Sequence, residues 1–198
     1  MAKKKKQSSN QLEIQNAAKT LFANIRFMSV DDPIKSIVIT SSVPNEGKST
    51  VSVNLAQAIA TSGKQVLLVE ADMRRRSLAT MLGVRPSAGL YAVLTDAAPL
   101  NVAVTGTATP NLHFLDTEPN IPNPADLISS KRFGRLVRTL ARVRVVRIVV
   151  LGTRTLHERG AHADDVGVRL LKLLVGPSKL SALRQIGPHH HDCRVHER

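Results

Sequence analysis

Apolar residues recur along the chain in two patterns, one typical of buried strands and the other of helices. Short runs of aliphatic and β-branched residues predict four strands, at 36–40, 65–69, 112–115 and 145–151. Helical spacing, or a stretch without helix breakers, predicts three longer helices, over 13–27, 49–61 and 133–143. The first two strands flank a helix as a βαβ unit, so we expect them to be parallel.

The composition indicates a single domain with an aliphatic core. The chain has 198 residues, of which 42% are apolar, with no Trp and a single Tyr, Tyr91. An aliphatic core of this size suits a parallel sheet flanked by helices. The net charge of +13 favours anionic partners such as nucleotide, nucleic acid or a membrane surface. The scarcity of aromatic side chains argues against single-stranded nucleic acid, and we expect no nucleic acid partner.

A phosphate-binding loop is predicted between the first strand and the helix that follows it. The segment Ser42–Thr50 reads Ser-Val-Pro-Asn-Glu-Gly-Lys-Ser-Thr, with Ser42 where the usual pattern has glycine. Backbone N–H groups of such a loop converge on phosphate oxygens, and Gly47 permits their close approach. Lys48 would reach the β- and γ-phosphates of ATP, while Ser49 would offer its hydroxyl to Mg²⁺. The predicted nucleotide contacts are Pro44, Asn45, Glu46, Gly47, Lys48, Ser49 and Thr50.

Two carboxylates, Glu70 and Asp72, close the second predicted strand. Ligands of an open α/β sheet bind beyond the carboxyl ends of its strands, so we expect both acids near the loop, on the strand next to it. Our candidate metal ligands are Ser49 and Asp72, and our candidate catalytic residues are Lys48, Glu70 and Asp72. A solvated strand end is the alternative interpretation.

The two ends of the chain differ from its middle. Residues 1–10, with the lysine run Lys3–Lys6, predict a flexible basic tail that either stays solvated or touches anionic lipid. Residues 142–198 hold 11 Lys/Arg against 5 Asp/Glu, with two short helices predicted over 163–174 and 178–185. The lone Cys193 fits a reducing cytoplasm, and we interpret it and the histidines at 189–191 as part of a disordered end rather than a metal site.

Several segments together resemble the bacterial tyrosine kinases. Ser41–Thr50 is similar to their Walker A loop, and Glu70–Arg75 resembles their second motif, usually Asp-x-Asp-x-Arg. Pro122–Phe133 and Asn24–Phe27 resemble two further segments of the same family. The resemblance implies an α/β fold with a P-loop NTPase-like parallel sheet flanked by helices. We predict that this sheet is incomplete at its C-terminal end.

The resemblance also implies a function. Members of this family bind ATP and Mg²⁺, phosphorylate themselves on tyrosine, and regulate the synthesis or export of capsular or extracellular polysaccharide. The family works with a transmembrane activator, and the lack of a membrane span implies a separate activator or chain-length regulator here. This implies a cytoplasmic, peripheral location at the inner face of the plasma membrane and the option of a homo-oligomer.

Departures from the family pattern leave the activity of this chain open. Glu70 stands where the family has Asp, and Asn16–Phe22 replaces a helix motif linked to ring assembly. The C-terminal tyrosine cluster is missing, and Gly152 follows the last predicted strand where the family has Asp. We therefore divide the chain into a basic tail (1–10), a P-loop kinase-like domain (11–151) and an atypical tail (152–198). The region after about residue 142 is either a frameshifted or degraded version of the family's C-terminal third or a divergent native sequence.

Two other functions remain as alternatives. One is a nucleotide-binding partner of the activator that lacks catalysis, which Gly152 and the missing tyrosines favour. The other is a partitioning or division-site ATPase on the same kind of sheet. Those ATPases carry a lysine five residues before the loop lysine, and Val43 at that position argues against them.

Overall fold

The structure, a computed structural model, describes residues 2–31, 34–41, 44–142 and 145–151. The elements of the N-terminal half are α1 (Ala2–Phe27), β1 (Ser36–Ile39), α2 (Lys48–Thr61), β2 (Val66–Ala71), α3 (Leu78–Leu82) and α4 (Leu90–Leu94). Those that follow are α5 (Leu100–Ala103), β3 (Val104–Gly106), β4 (Leu112–Leu115), α6 (Pro124–Ser129), α7 (Lys131–Arg142) and β5 (Val146–Leu151). All four predicted strands and all three longer predicted helices are confirmed.

The strands form one sheet in the order β1-β5-β2-β4-β3. Four of them are parallel, and β3 pairs with β4 in the antiparallel direction at the edge. The predicted α/β fold with a parallel sheet is thereby confirmed. The expectation that the first two strands are neighbours is wrong, because β5 lies between β1 and β2. The crossover through α2 skips one position in the sheet, and the apolar run of β5 suits that central place, which is covered on both faces.

Helices cover both faces of the sheet. On one face α1, α2 and α3 pack against a cluster that includes Leu55, Ile59, Phe114 and Ile148. On the other face α4 and α7 pack against side chains that include Leu67 and Val149. The core is mostly aliphatic, as predicted, with two fully buried phenylalanines, Phe114 and Phe133.

Two elements differ from the prediction. Helix α1 begins at Ala2 and so includes most of residues 1–10, which were predicted as a flexible tail. This segment contains no Pro or Gly, so nothing in it stops the helix. Strand β3 was not predicted, because three residues are too few to show an alternating pattern. None of the described helices combines the length and the apolarity that crossing a bilayer requires.

One charged residue lies inside the sheet. Arg147 of β5 is 3% exposed and faces an apolar pocket lined by residues of β2, β5, α4 and α7. Its guanidinium donates to the Leu140 carbonyl at 2.6 Å and to the Ser36 hydroxyl at 2.9 Å. Burial lowers the pKa of this guanidinium from its usual value, and no carboxylate of the described residues forms an ion pair with it.

Candidate nucleotide-binding site

The loop between β1 and α2 adopts a backbone conformation that leaves one side open. Asn45 has φ of 68° and Gly47 has φ of 85°, both in the left-handed region. Gly47 precedes α2, and no atom lies within 4 Å of where its Cβ would be. The need for glycine there is therefore conformational, and the space beside it is free for a ligand. Ser42 and Val43 lie outside the described residues.

The start of α2 provides positive charge at this open side. Its first N–H groups have no partner within the helix, and the helix dipole adds partial positive charge there. Lys48, the first residue of α2, places its Nζ 2.7 Å from Asp72 Oδ2. The two side chains are only 12% and 8% exposed. Lys48 and Asp72, both predicted site residues, are therefore in direct contact. They meet although β5 lies between β1, which precedes the phosphate loop, and β2, which precedes Asp72.

Asp72 is held in place by the turn that follows it. Its Oδ1 accepts hydrogen bonds from the backbone N–H groups of Arg75 at 3.1 Å and Arg74 at 3.4 Å. The Arg75 guanidinium in turn donates to Asn45 Oδ1 at 3.0 Å, which joins the turn to the phosphate loop. The carboxylate of Asp72 thus has a fixed direction, with one oxygen on the turn and the other on Lys48.

Glu70 has a different environment from Asp72. The residue is 1% exposed, and its carboxylate accepts from the backbone N–H groups of Asp72, Ser77 and Leu78 at 3.2–3.4 Å. Glu70 therefore caps the start of α3. Burial raises the pKa of the Glu70 carboxyl to about 7, the three N–H groups oppose this, and the charge of Asp72 adds to the rise. Its predicted catalytic role stays a prediction, since these contacts describe a positioning role.

The raised pKa of Glu70 predicts a pH-dependent stability. The folded protein binds the Glu70 proton more tightly than the unfolded chain, whose carboxyl has the ordinary value of 4.5. This contribution is complete below about pH 4.5 and is lost as the pH rises towards 7, to a total of at most about 3 kcal/mol. Glu70→Gln removes it. We expect the free energy of unfolding of the variant to rise relative to that of the unaltered protein between pH 4.5 and 7.5, in denaturant titrations. Glu13→Gln, in the exposed part of α1, is the control, and an equal pH dependence in the unaltered protein and the Glu70→Gln variant would contradict the assignment.

A further contact at the loop was not predicted. Ser49 Oγ lies 2.6 Å from Ser77 Oγ, and Ser77 immediately precedes α3. The cap position of Ser77 in the sequence predicts a bond to the helix that follows it and gives no signal for a contact with Ser49. The Ser77 side chain forms no cap hydrogen bond to α3, and its hydroxyl contacts Ser49 of the phosphate loop instead.

The neighbouring strand end adds two more acids that sequence reasoning missed. Asp116, directly after β4, is 2% exposed and pairs with the guanidinium of Arg76. Glu118 accepts three backbone N–H groups at the start of α4, from Gly89, Tyr91 and Ala92, at 2.8–3.0 Å. Tyr91 itself is half-buried against the core. The Arg76–Asp116 pair joins the turn after β2 to the end of β4. The bonds to Glu118 fix the start of α4, the helix that contains Tyr91.

The oxygen donors at this edge fit Mg²⁺. A hydroxyl from Ser49 and a carboxylate from Asp72 are hard ligands of the kind that Mg²⁺ takes together with water and nucleotide phosphates. Within the described part of the chain no three His, Cys, Asp or Glu residues cluster as a protein-only metal cage. The site therefore suits a metal that arrives with a nucleotide. Gly152 and the histidines at 189–191 lie outside the described residues.

The parallel sheet, the open loop at the start of α2 and the lysine at its first position define a P-loop nucleotide-binding protein. The family model of the CobQ/CobB/MinD/ParA nucleotide binding domain matches residues 37–172. Tyrosine-protein kinase YwqD of Bacillus subtilis strain 168 is 42% identical over 113 residues, which cover 57% of this chain and 48% of that protein.

Two solved structures are also similar. The BceF tyrosine kinase domain shares 33% identity with a TM-score of 0.62, covering 70% of this chain and 55% of that one. The chimerical protein CapA2B2 shares 29% identity with a TM-score of 0.68, covering 79% of this chain and 66% of that one. The chain belongs to the CobQ/CobB/MinD/ParA nucleotide-binding family. Its predicted resemblance to the bacterial tyrosine kinases is confirmed by these relatives. It spans about half the length of the Bacillus relative.

Proposed function

We propose that this chain binds ATP with Mg²⁺ and is the nucleotide-binding part of a protein tyrosine kinase that regulates capsular or extracellular polysaccharide synthesis. The observation that carries the proposal is the meeting of Lys48 and Asp72 at 2.7 Å, beside the open side of the phosphate loop. The likeness to tyrosine kinases over more than half of the chain supports the choice of reaction. We further propose a separate transmembrane activator as partner and a peripheral location at the inner face of the plasma membrane.

The residues at this edge would divide the work of phosphoryl transfer. The N–H groups of the loop and α2 bind the phosphates, and Lys48 turns from Asp72 to the β- and γ-phosphates when they arrive. Ser49 and Asp72 would hold Mg²⁺, which offsets the charge that develops on the transferred group. A carboxylate bound to Mg²⁺ is a weak base, so accepting the proton of an attacking hydroxyl is an alternative role for Asp72 and not a simultaneous one. Glu70 keeps the start of α3 in place beneath them.

Asp72→Asn is expected to leave the fold intact and to weaken the Mg²⁺ dependence of nucleotide binding. The amide keeps an oxygen for the N–H groups of Arg74 and Arg75, but it loses the negative charge that attracts the metal. Calorimetric titrations of ATP over a range of Mg²⁺ concentrations would measure this, with Asp96→Asn, on an exposed side chain, as the control. An unchanged metal dependence would remove Asp72 from the metal site.

The test of the proposed function is ATP binding followed by phosphorylation. We expect the chain to bind Mg·ATP but to autophosphorylate weakly or not at all. Strand β5 ends at Leu151 between β1 and β2, and the next residue in the sequence is Gly152, which has no side chain to hold a metal. The only tyrosine, Tyr91, is half-buried in α4. Both features favour the alternative of a nucleotide-binding partner that lacks catalysis.

The experiment incubates the chain with labelled ATP, Mg²⁺ and the cytoplasmic segment of the activator, with mass spectrometry of the Tyr91 peptide. Gly152→Asp tests whether the missing carboxylate limits the reaction. Strong phosphotyrosine on the unaltered chain would show that Glu70 and Asp72 suffice. A chain that binds no ATP under any condition would contradict the proposed function itself.

A further inference from the structure

The hydroxyl of Ser77 lies where it can act on the predicted metal ligand. Its Oγ is 2.6 Å from Ser49 Oγ, which is within the range of a hydrogen bond between two hydroxyls. The two residues come from different elements, since Ser49 lies in the first turn of α2 and Ser77 precedes α3. A contact of this kind fixes the direction in which the Ser49 hydroxyl points.

Ser77 is available for this contact because its side chain forms no cap bond to the helix that follows it. A serine before a helix ordinarily accepts an N–H group of the first turn. Here the Glu70 carboxylate accepts the N–H groups of Ser77 and Leu78, at 3.4 and 3.3 Å, and the Ser77 side chain forms no cap bond. The hydroxyl is therefore released from α3, while the backbone that carries it is held by a buried carboxylate.

We propose that Ser77 is a positioning residue for the metal, an inference that rests on the proposed binding of Mg·ATP. A serine oxygen that coordinates a cation uses a lone pair, and its own proton then needs an acceptor. Ser77 accepts that proton and so aims the lone pairs of Ser49 away from α3 and towards the open side of the loop. Coordination makes the Ser49 hydroxyl a stronger donor, so the bond between the two serines strengthens when the metal binds.

Because the Ser49–Ser77 bond strengthens on metal binding, the effect of its loss distinguishes a metal-positioning role of Ser77 from a general structural role. Loss of a bond that strengthens on metal binding weakens the metal-dependent part of nucleotide affinity and leaves the metal-free part unchanged. A bond of ordinary strength corresponds to about a three- to tenfold change in an equilibrium constant. Ser77→Ala should therefore raise the Mg²⁺ concentration for half-maximal ATP binding by about three- to tenfold.

The experiment is calorimetric titration of ATP into the full chain, once with a chelator and once over a series of Mg²⁺ concentrations. Four variants are compared with the unaltered chain: Ser77→Ala, Ser77→Thr, Ser49→Ala and the double alanine variant. Thr80→Ala, which removes an exposed hydroxyl from the same helix, is the matched control. We expect Ser77→Thr to restore the Mg²⁺ dependence, because threonine retains the hydroxyl. In the Ser49→Ala background, Ser77→Ala should have no further effect, because its partner is gone.

A second measurement, thermal unfolding, tests the Ser49–Ser77 bond without nucleotide. Thermal unfolding of the unaltered chain, the two single alanine variants and the double variant gives the coupling between Ser49 and Ser77, which should be favourable. An unchanged Mg²⁺ requirement in Ser77→Ala would overturn this inference but not the proposed function. An equal loss of ATP affinity with and without Mg²⁺ would have the same consequence. Additive effects of the two alanine substitutions would do the same. If the unaltered chain binds no ATP, the proposed function is wrong and this inference fails with it.

Discussion

Replacing Lys48 with alanine is expected to abolish measurable binding of Mg·ATP. Lys48 is the side chain that brings a full positive charge to the first turn of α2, where the β- and γ-phosphates would lie. Its removal also leaves Asp72, whose side chain is 8% exposed, without its ion-pair partner. The remaining carboxylate would then repel the phosphates as well, so two effects act in the same direction.

The stability of this variant has to be measured beside its affinity. Removing one partner of a largely buried ion pair can cost about 3 kcal/mol, and part of any lost affinity could follow from that. The double variant Lys48→Ala with Asp72→Asn removes the unpaired charge and should recover most of the stability without recovering ATP binding. Lys64→Ala, on an exposed lysine after α2, is the control for a lost positive charge. Undiminished ATP affinity of Lys48→Ala in calorimetry would contradict the assignment of the phosphate loop.

The main features of the fold could be predicted because their signals are local. The run at 146–151 reads as a buried strand on its own, and Gly-Lys-Ser-Thr after a strand predicts a phosphate loop wherever the strand lies in the sheet. The order of strands is not local. Strand β2 could lie beside β1 or leave a position between them for β5. The outcome depends on where the later part of the chain joins the sheet, and the residue patterns of β1 and β2 do not encode it.

The division of roles between Glu70 and Asp72 could not be predicted either. Their spacing places both at the carboxyl edge, and nothing in the residue pattern distinguishes one carboxylate from the other. The difference arises from what packs beside each of them: the start of α3 meets Glu70, and Lys48 meets Asp72. Ser77 was missed for the same reason, since its cap position predicts a side-chain contact with its own helix, and that contact does not form.

Replacing Arg147 with methionine is expected to stabilise the protein. The guanidinium is 3% exposed in a pocket otherwise formed by apolar side chains, among them Phe133, Leu136 and Val149. Moving a cation from water into an apolar pocket costs free energy unless a carboxylate compensates for the lost hydration. The observed partners of the Arg147 guanidinium are a carbonyl and a hydroxyl. The lowered pKa of Arg147 reflects the same cost. Methionine has a similar length and fills irregular space without a charge.

We expect the gain in the free energy of unfolding to be about 1–3 kcal/mol, by analogy with buried charges that are replaced by apolar residues of similar volume. Loss of the two hydrogen bonds sets the lower end, because the Leu140 carbonyl and the Ser36 hydroxyl lose a donor. Arg147→Lys is the informative control: it keeps the charge but cannot reach both acceptors with one planar group, so it should be less stable than the unaltered chain. Arg138→Met, on the exposed face of α7, controls for the loss of one positive charge from a protein of net charge +13. Urea titrations of the four proteins measure all of these differences. A lower unfolding midpoint for Arg147→Met would show that the bonds to Leu140 and Ser36 outweigh the cost of burial, and that this arginine joins β5 to β1 and α7 as a stabilising element of the sheet.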